Sequence, residues 1–199
     1  MTEKAAPNPA RRPDPSSLVS PGHRRSLRLP SWDYRGGGAY FLTLCTAGRE
    51  CLLGDVVESG VRLTEIGTLV EEEWRRSGAL RSELELDAFV IMPNHLHGIV
   101  WLTEIVGAHG RAPSGVSATP DARSVPFQRP PRSLGSFVAG FKSATTLRVN
   151  VLRDSRGVPF WQRNYFERVI RHDEELHRVR EYIAENPLKW HLDPERPGR

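Results

Sequence analysis

The chain has 199 residues, of which 38% are hydrophobic and 26% are charged, a composition typical of a globular domain with flexible parts. No apolar run approaches the roughly 20 residues that cross a bilayer, and the Pro- and Arg-rich N-terminus has no apolar signal core. Two cysteines without a CxxC spacing argue against a thiolate zinc site. We therefore expect a cytoplasmic protein without a membrane segment.

Charge is distributed unevenly along the sequence. Residues 1–30 carry a net charge of +4, residues 31–131 carry −4, and residues 132–199 carry +4. A basic surface on the C-terminal part fits a polyanionic partner such as nucleic acid. An ordinary solvated surface of mixed charge is the alternative that charge alone leaves open.

Composition divides the chain into a domain, two tails and an insertion. Residues 1–30 are rich in Pro, Arg and Ser, and we predict a disordered basic tail there. The domain is predicted to span residues 31–190. It is interrupted at about 104–131 by a Gly-, Pro- and Ser-rich segment that we interpret as a flexible insertion. Residues 191–199 are interpreted as a C-terminal tail.

Hydrophobic periodicity predicts seven elements in this domain. In chain order they are a strand over 39–48, a helix over 63–78, strands over 83–93 and 95–102, a helix over 132–154, a strand over 159–171 and a helix over 173–187. Thr64 and Asp173 are the expected N-caps of the first and last helices. The order β-α-β-β-α-β-α predicts an α+β fold with a ferredoxin-like antiparallel sheet packed by helices, plus an extra C-terminal helix.

Two histidines stand one residue apart in the third predicted strand, within the sequence IMPNHLHGIVWL. Residues i and i+2 of a strand face the same side, about 6.6 Å apart, so His95 and His97 could share one divalent ion while Leu96 points into the core. Buried imidazoles need polar partners, and a metal would supply one. The alternative is that one histidine bonds a backbone carbonyl and the other faces solvent.

The last predicted helix carries two further polar side chains. Its apolar stripe contains Leu176, Val179 and Ile183, with Tyr182 at the edge of the stripe and Asn186 one turn further on. A phenol beside a metal that polarises a phosphate could attack phosphorus and form a covalent phosphotyrosine. A half-buried core aromatic is the alternative interpretation of Tyr182.

Together these motifs resemble the HUH-type single-tyrosine transposases, specifically the REP-associated tyrosine transposase-like branch. The resemblance covers roughly 30–103 and 132–190 and depends on YFLTLCTAGRECLLG, FVIMPNHLHGIVWL and FWQRNYFERVIRHDEELHRVREYIAENPLKW. It implies a metal-dependent, site-specific nickase and strand-transferase that acts on single-stranded DNA, often at hairpins. It also implies a homodimer, Mg²⁺ or Mn²⁺ as the metal, no nucleotide cofactor, and association with the nucleoid.

The resemblance also assigns roles to individual residues. His95 and His97 are the expected metal ligands, Tyr182 is the expected nucleophile, and Asn186 matches the position of a third ligand. Because Pro187 disfavours helical geometry in the residue before it, Asn186 alternatively caps the helix.

Several alternatives stay open at this point. Glu175 is another candidate for the third ligand, and Tyr165 is the rival nucleophile. The expected DNA-binding residues are Lys142, Arg148, Arg163, Arg168 and Arg171, since basic side chains supply most of the affinity for nucleic acid. Trp161 and Phe166 could stack on unpaired bases. A catalytically silent, domesticated DNA- or RNA-binding module and a structural zinc protein are the two competing functional hypotheses.

Overall fold

The computed structural model describes residues 37–103 and 132–198. In chain order the elements are β1 (Gly38–Cys45), β2 (Gly54–Val57), β3 (Gly60–Leu63), α1 (Glu65–Ala79), β4 (Leu84–Met92), β5 (His95–Leu102), α2 (Leu134–Leu152), β6 (Phe166–Ile170) and α3 (Asp173–Glu185). The main sheet has the order β4-β5-β1-β6 with antiparallel neighbours. This arrangement confirms the predicted ferredoxin-like sheet with an extra C-terminal helix.

Alternation along the central strands creates two cores, one on each face of the sheet. On one face, the even-numbered side chains of β1 and β5, such as Leu42 and Leu96, pack with residues of α1 and α2, including the fully buried Trp74. On the other face, the odd-numbered Phe41 and Ile99 pack with the apolar stripe of α3. The helix that carries Tyr182 therefore lies on the same face as any odd-numbered side chain of β5.

The predicted start of α1 is confirmed, and a close backbone contact fixes its position. The Thr64 hydroxyl accepts a hydrogen bond from the Gly67 N–H at 3.1 Å, the usual N-cap interaction. A Cβ atom at Gly67 would lie 1.9 Å from the Leu53 carbonyl oxygen. Only glycine therefore allows the first turn of α1 to sit against the loop that precedes β2.

The N-cap expected for α3 is wrong by one residue. His172, not Asp173, has extended backbone angles, and its Nδ1 accepts a hydrogen bond from the Glu175 N–H at 3.2 Å. Acidic residues still fill the first turn, where they complement the helix dipole. Arg180 of α3 attaches the helix to the sheet by donating two hydrogen bonds to Asp87 of β4, at 3.0 and 2.6 Å.

Two parts of the sheet differ from the sequence prediction. The hairpin of β2 and β3 was not predicted, because each strand has only four residues and too few alternations to give a clear period. The predicted strand over 159–171 is paired as a strand only over Phe166–Ile170. The preceding residues cross the end of the sheet, where Trp161 forms a single bridge with Thr46 and the Lys142 amine binds the carbonyl oxygens of Gln162 and Asn164.

The predicted tail over 1–30 and insertion over 104–131 lie outside the described residues. Within the described ranges, none of the helices combines the length and the apolar character that a bilayer crossing requires.

Candidate functional site

The two histidines project from adjacent same-face positions of β5 and are fully buried. The register places Thr43 opposite His97 and Cys45 opposite His95 on the neighbouring strand β1. Leu96 points the other way into the core between the sheet and helices α1 and α2, as expected. Strand alternation alone therefore brings both imidazoles to the face that α3 covers.

The Nε2 atoms of His95 and His97 lie only 2.9 Å apart, with ring centroids 4.4 Å apart. A neighbouring amide fixes the tautomer of the first ring. The Asn94 Nδ2 donates to the carbonyl oxygens of Arg49 at 3.1 Å and Glu195 at 2.7 Å, so its Oδ1 must face the His95 Nδ1 at 2.8 Å. His95 consequently carries its proton on Nδ1 and exposes the Nε2 lone pair to the centre of the site.

Thr43 completes the arrangement at the second ring, because its hydroxyl oxygen lies 2.9 Å from the His97 Nδ1. A hydroxyl both donates and accepts, so it satisfies either tautomer of His97. Without a metal, the His97 Nε2–H donates to the His95 Nε2 and Thr43 donates to Nδ1. If both Nε2 lone pairs held a cation, His97 would carry its proton on Nδ1 and the Thr43 hydroxyl would accept it.

A third group that could bind a metal comes from the segment predicted to be a C-terminal tail. The Asp193 Oδ2 lies 3.7 Å from the His95 Nε2 and 4.0 Å from the His97 Nε2. The side chain is buried, and Oδ2 has no hydrogen-bond partner among the described residues. Its other oxygen accepts the Glu195 N–H at 2.7 Å. Asp193 was not among the predicted ligands.

The segment around Asp193 is held against the site by several contacts. The Glu195 carboxylate pairs with Arg49 at 2.9 Å and accepts the buried Cys45 thiol at 3.4 Å. The Trp190 ring lies 6.0 Å from the His95 ring. Since Asn94 also binds the Glu195 carbonyl oxygen, the C-terminal segment and the histidine pair share one hydrogen-bond network.

Burial and charge set the protonation of the three groups that could hold a metal. Burial, reinforced by the neighbouring imidazole of His97, holds the pKa of His95 well below its usual value, so this imidazole is neutral at neutral pH. Burial raises the pKa of Asp193, but the adjacent imidazoles outweigh this effect and the pKa falls to about 2. A neutral imidazole and a carboxylate are the forms that bind a metal ion.

The Tyr182 phenol reaches this group from α3. Its oxygen lies 3.3 Å from the His97 Nε2, and its ring contacts the buried Phe41 edge-on at 6.0 Å between centroids. Burial, with the charge of Asp193, raises the pKa of Tyr182, while the Asn186 amide partly opposes the shift. The phenol is therefore protonated at neutral pH unless a positive charge is present nearby.

Asn186 lies one turn after Tyr182, and its backbone is helical at φ −55° and ψ −42°. The expectation that Pro187 would move this residue away from helical geometry is wrong, although Asn186 does terminate α3 as its C-cap. The side chain is buried, and Oδ1 has no hydrogen-bond partner in the part of the chain that is described. An unpaired buried amide oxygen is costly on its own and is a good ligand for a cation.

These donors fit a divalent cation. His95, His97 and Asp193 each offer one ligand atom, and the three atoms lie within 4.8 Å of one another. Two imidazole nitrogens with a carboxylate oxygen suit Mg²⁺, Mn²⁺ or Zn²⁺, and the Asn186 amide lies beside the Tyr182 phenol on α3. The observation that favours a bound cation is the Asp193 Oδ2, which has no hydrogen-bond partner within residues 37–103 and 132–198, because a buried carboxylate oxygen is rarely left without one.

The alternatives from the sequence are placed elsewhere. Glu175 is buried, but its carboxylate binds the Arg168 guanidinium at 2.7 Å and the Arg171 N–H at 3.1 Å. Tyr165 packs with the core on the α1 and α2 side of the sheet, with the Lys142 amine 5.4 Å from its ring centre. Neither residue belongs to the group around the two histidines.

The predicted DNA-binding residues fall into two sets. Three of them make internal contacts. The Lys142 amine binds the carbonyl oxygens of Gln162 and Asn164, and the Arg148 guanidinium pairs with two glutamates of α1. The Arg168 guanidinium pairs with Glu175 of α3. Arg163 and Arg171 are exposed and have no ion-pair partner among the described residues. Trp161 is buried and donates to the Thr145 hydroxyl at 2.6 Å, so it is not free to stack on a base.

The sheet order and the helix on its histidine face define a transposase-like fold. The solved structure of a REP-associated tyrosine transposase bound to a REP hairpin matches with a TM-score of 0.50 and 19% identity, covering 88% of this chain and 76% of that one. A putative transposase from Deinococcus radiodurans gives a TM-score of 0.39 and 18% identity, covering 79% and 95% of the two chains.

No family model matches the sequence. An uncharacterized protein of Haemophilus influenzae is 36% identical over 171 residues, which make up 86% of this chain and 92% of that relative. The chain belongs to the same family as this Haemophilus protein.

Proposed function

We propose that this chain is a metal-dependent nickase and strand-transferase for single-stranded DNA, with Tyr182 as its nucleophile. The observation that carries the proposal is the 3.3 Å distance from the Tyr182 oxygen to the His97 Nε2, within a buried group that also contains His95 and Asp193. A nucleophile next to a cation site is the arrangement that phosphoryl transfer by tyrosine needs.

Each residue has a defined role in this reaction. His95, His97 and Asp193 would hold the cation, with Asn186 as the additional oxygen ligand from α3. A divalent cation bound there supplies positive charge that polarises the scissile phosphate and favours ionisation of the phenol. The Tyr182 oxygen then forms a bond to phosphorus.

The bond from phosphorus to the 3′ oxygen breaks at the same time, and the proton lost by the phenol ends on the released 3′-hydroxyl. The product is a 5′-phosphotyrosine link. A second 3′-hydroxyl resolves this link by the reverse reaction, and the phenol recovers its proton. No net hydrolysis occurs, so strand transfer needs no nucleotide cofactor.

The substrate is proposed to be a DNA hairpin with an unpaired flank. Support comes from the shared fold with the REP-associated transposase, which was solved bound to a REP hairpin. The exposed Arg163 and Arg171 would contribute phosphate contacts, since basic side chains supply most of the affinity for DNA. The homodimer and the association with the nucleoid remain predictions from the resemblance.

The test is the formation of a covalent adduct between the protein and a labelled single-stranded hairpin oligonucleotide in Mn²⁺, resolved by denaturing electrophoresis. The wild type and Tyr165→Phe should form the adduct, and Tyr182→Phe should not. Tyr165→Phe is the matched control, since it removes one phenolic oxygen from the opposite side of the sheet. An adduct that survives Tyr182→Phe would refute the assignment of the nucleophile.

The same experiment separates the proposal from the silent-module hypothesis. Hairpin binding by the wild type with no adduct in Mg²⁺, Mn²⁺ or Zn²⁺ would favour a DNA-binding module without turnover. Tightly held Zn²⁺, with unfolding on chelation and no DNA binding, would favour a structural zinc protein.

A further inference from the structure

Arg49, in the loop between β1 and β2, has an unusual backbone conformation. Its φ is 58°, in the left-handed region that residues other than glycine, asparagine and aspartate rarely adopt. The preceding Gly48, at φ 64°, adopts the same region without steric cost. A glycine at position 49 would do so too, so the backbone gives no reason for an arginine there. Because strained residues persist only where their surroundings hold them, the contacts of the Arg49 side chain indicate what it contributes.

The Arg49 guanidinium binds the C-terminal segment around Asp193 at two points. One nitrogen lies 2.9 Å from the Glu195 carboxylate, and the other donates to the Pro194 carbonyl oxygen at 3.3 Å. Glu195 is buried, and hydrogen bonds to a charged group are stronger than those between neutral groups. The N–H of the same Glu195 donates to the Asp193 Oδ1 at 2.7 Å. The guanidinium is therefore linked through one residue to the carboxylate whose Oδ2 faces the two histidines.

The Arg49 main chain reaches the histidines by a second route. Its carbonyl oxygen accepts the Asn94 Nδ2 at 3.1 Å, and that amide also donates to the Glu195 carbonyl oxygen at 2.7 Å. The Asn94 Oδ1 in turn lies 2.8 Å from the His95 Nδ1. Arg49 therefore contacts the amide that orients His95 through its backbone, and the segment that carries Asp193 through its side chain.

We propose that Arg49 is a positioning residue of the candidate metal site, whose guanidinium fixes Asp193 relative to His95 before a cation binds. His95 and Asp193 are far apart in the sequence, so their relative placement depends on tertiary contacts. Groups that orient a metal ligand contribute to metal affinity without touching the ion. The inference rests on the metal site of the proposed function and adds to it a residue that is not itself a ligand.

The experiment uses the full chain, with Mn²⁺ as the probe, and combines two measurements. Isothermal titration calorimetry gives the dissociation constant for Mn²⁺. Hydrogen exchange read by mass spectrometry follows, in metal-free protein, a C-terminal peptide that includes the Glu195 N–H. Neither measurement involves DNA, so both are independent of the adduct assay.

Three variants and one control separate the side chain from the backbone. Arg49→Met removes the guanidinium but keeps the alkyl stem and the backbone restriction. Arg49→Gly also removes the side chain but relieves the left-handed backbone, so it tests the same contact in a chain without that strain. Arg49→Lys keeps the positive charge. Arg75→Met is the matched control, because it removes a guanidinium that pairs with Glu71 at 2.8 Å within α1.

Arg49→Met and Arg49→Gly should both raise the Mn²⁺ dissociation constant about tenfold. This is the lower end of the usual range of about 10- to 100-fold for such residues, because the Arg49 side chain is 41% exposed. The C-terminal peptide of both variants should exchange roughly tenfold faster, since the segment loses its bonds to a charged group. Arg49→Lys should recover part of the Mn²⁺ affinity through the charge alone. Arg75→Met should change neither measurement.

Two results would overturn the inference. The first is unchanged Mn²⁺ affinity of Arg49→Met and Arg49→Gly, which would leave Arg49 a purely backbone role. The second is an equal loss in Arg75→Met or faster exchange along the whole chain, which would indicate general destabilisation. A wild-type chain that binds no Mn²⁺ would refute the metal site, and the proposed function with it. Wild-type binding that the Arg49 variants leave unchanged would refute only the role of Arg49.

Discussion

Replacing Thr43 with valine tests whether the hydroxyl beside His97 prepares the imidazole pair for a metal. Valine has nearly the same shape and is well suited to the interior of a strand, so β1 should keep its register. Only the partner of the His97 Nδ1, 2.9 Å away, is lost. The protein should fold and bind divalent metal more weakly.

The size of the effect follows from the tautomers. When both Nε2 atoms bind the cation, His97 must carry its proton on Nδ1, and in the variant this buried N–H faces a methyl group. An unpaired buried donor costs about 1–3 kcal/mol. Without a metal, the variant leaves only an Nδ1 lone pair without a partner, which is a smaller loss. We therefore expect the dissociation constant for Mn²⁺ to rise about 10- to 100-fold, the usual effect of removing the partner of a ligating histidine.

Isothermal titration calorimetry with Mn²⁺ measures this change directly. Thr43→Ser is the control, since serine keeps the hydroxyl and should bind within about threefold of the wild type. Equal affinities of the valine variant and the wild type would refute the reasoning, as would equal losses in the valine and serine variants. A wild-type chain that binds no Mn²⁺ would refute the metal site itself.

Three further predictions concern other parts of the molecule. Asp193→Asn keeps the volume but removes the carboxylate charge, and should raise the Mn²⁺ dissociation constant at least about tenfold while the folded secondary structure in circular dichroism is unchanged. Gly67→Ala should lower the free energy of unfolding in urea by about 3 kcal/mol or more, because the new Cβ would lie 1.9 Å from the Leu53 carbonyl oxygen. The hydrogen bond from Arg180 holds the pKa of Asp87 at about 2. This pair should stabilise the fold by about 1 kcal/mol above pH 4, and its contribution should disappear as the pH falls toward 2.

Each of these predictions has a result that contradicts it. Unchanged Mn²⁺ affinity of Asp193→Asn would remove the carboxylate from the ligand set. The control for Gly67→Ala is Gly140→Ala within α2, where a Cβ would meet only the end of the Arg81 side chain, at 3.2 Å. Equal free energies of unfolding for the two variants would show that the contact with the Leu53 carbonyl oxygen does not restrict residue 67 to glycine. For the ion pair, Asp87→Asn should flatten the pH dependence between pH 4 and 2. If the stability of Asp87→Asn fell between pH 4 and 2 as steeply as that of the wild type, the pair of Arg180 and Asp87 would not be the cause of the pH dependence.

Much of the sheet and of the histidine geometry could be predicted because both depend on local periodicity. Side chains alternate between the two faces of a strand, so His95 and His97 share one face and Leu96 lies on the other in any fold where this segment is a strand. Helical spacing likewise places Tyr182 and Asn186 on one edge of α3. These relations hold within a single element and need no knowledge of tertiary contacts.

Other features depended on contacts between distant segments. Asp193 follows the last helix in a stretch with no periodicity, and only the network through Asn94 and Glu195 brings it to the histidines. The residues before β6 alternate like a strand, but contacts with α2 and the end of β1 replace the sheet pairing. Local pattern carries no information about either arrangement.

The two thiols differ in a way that helps the study of this site. Cys45 is buried, and burial together with Glu195 raises its pKa, whereas Cys51 is exposed. Because a maleimide reacts with an accessible thiolate, it should modify Cys51 and spare Cys45 in the folded protein. The wild-type sequence therefore accepts a single dye in the loop between β1 and β2. Quenching of the dye's fluorescence by paramagnetic Mn²⁺ would show whether the ion binds at the histidines.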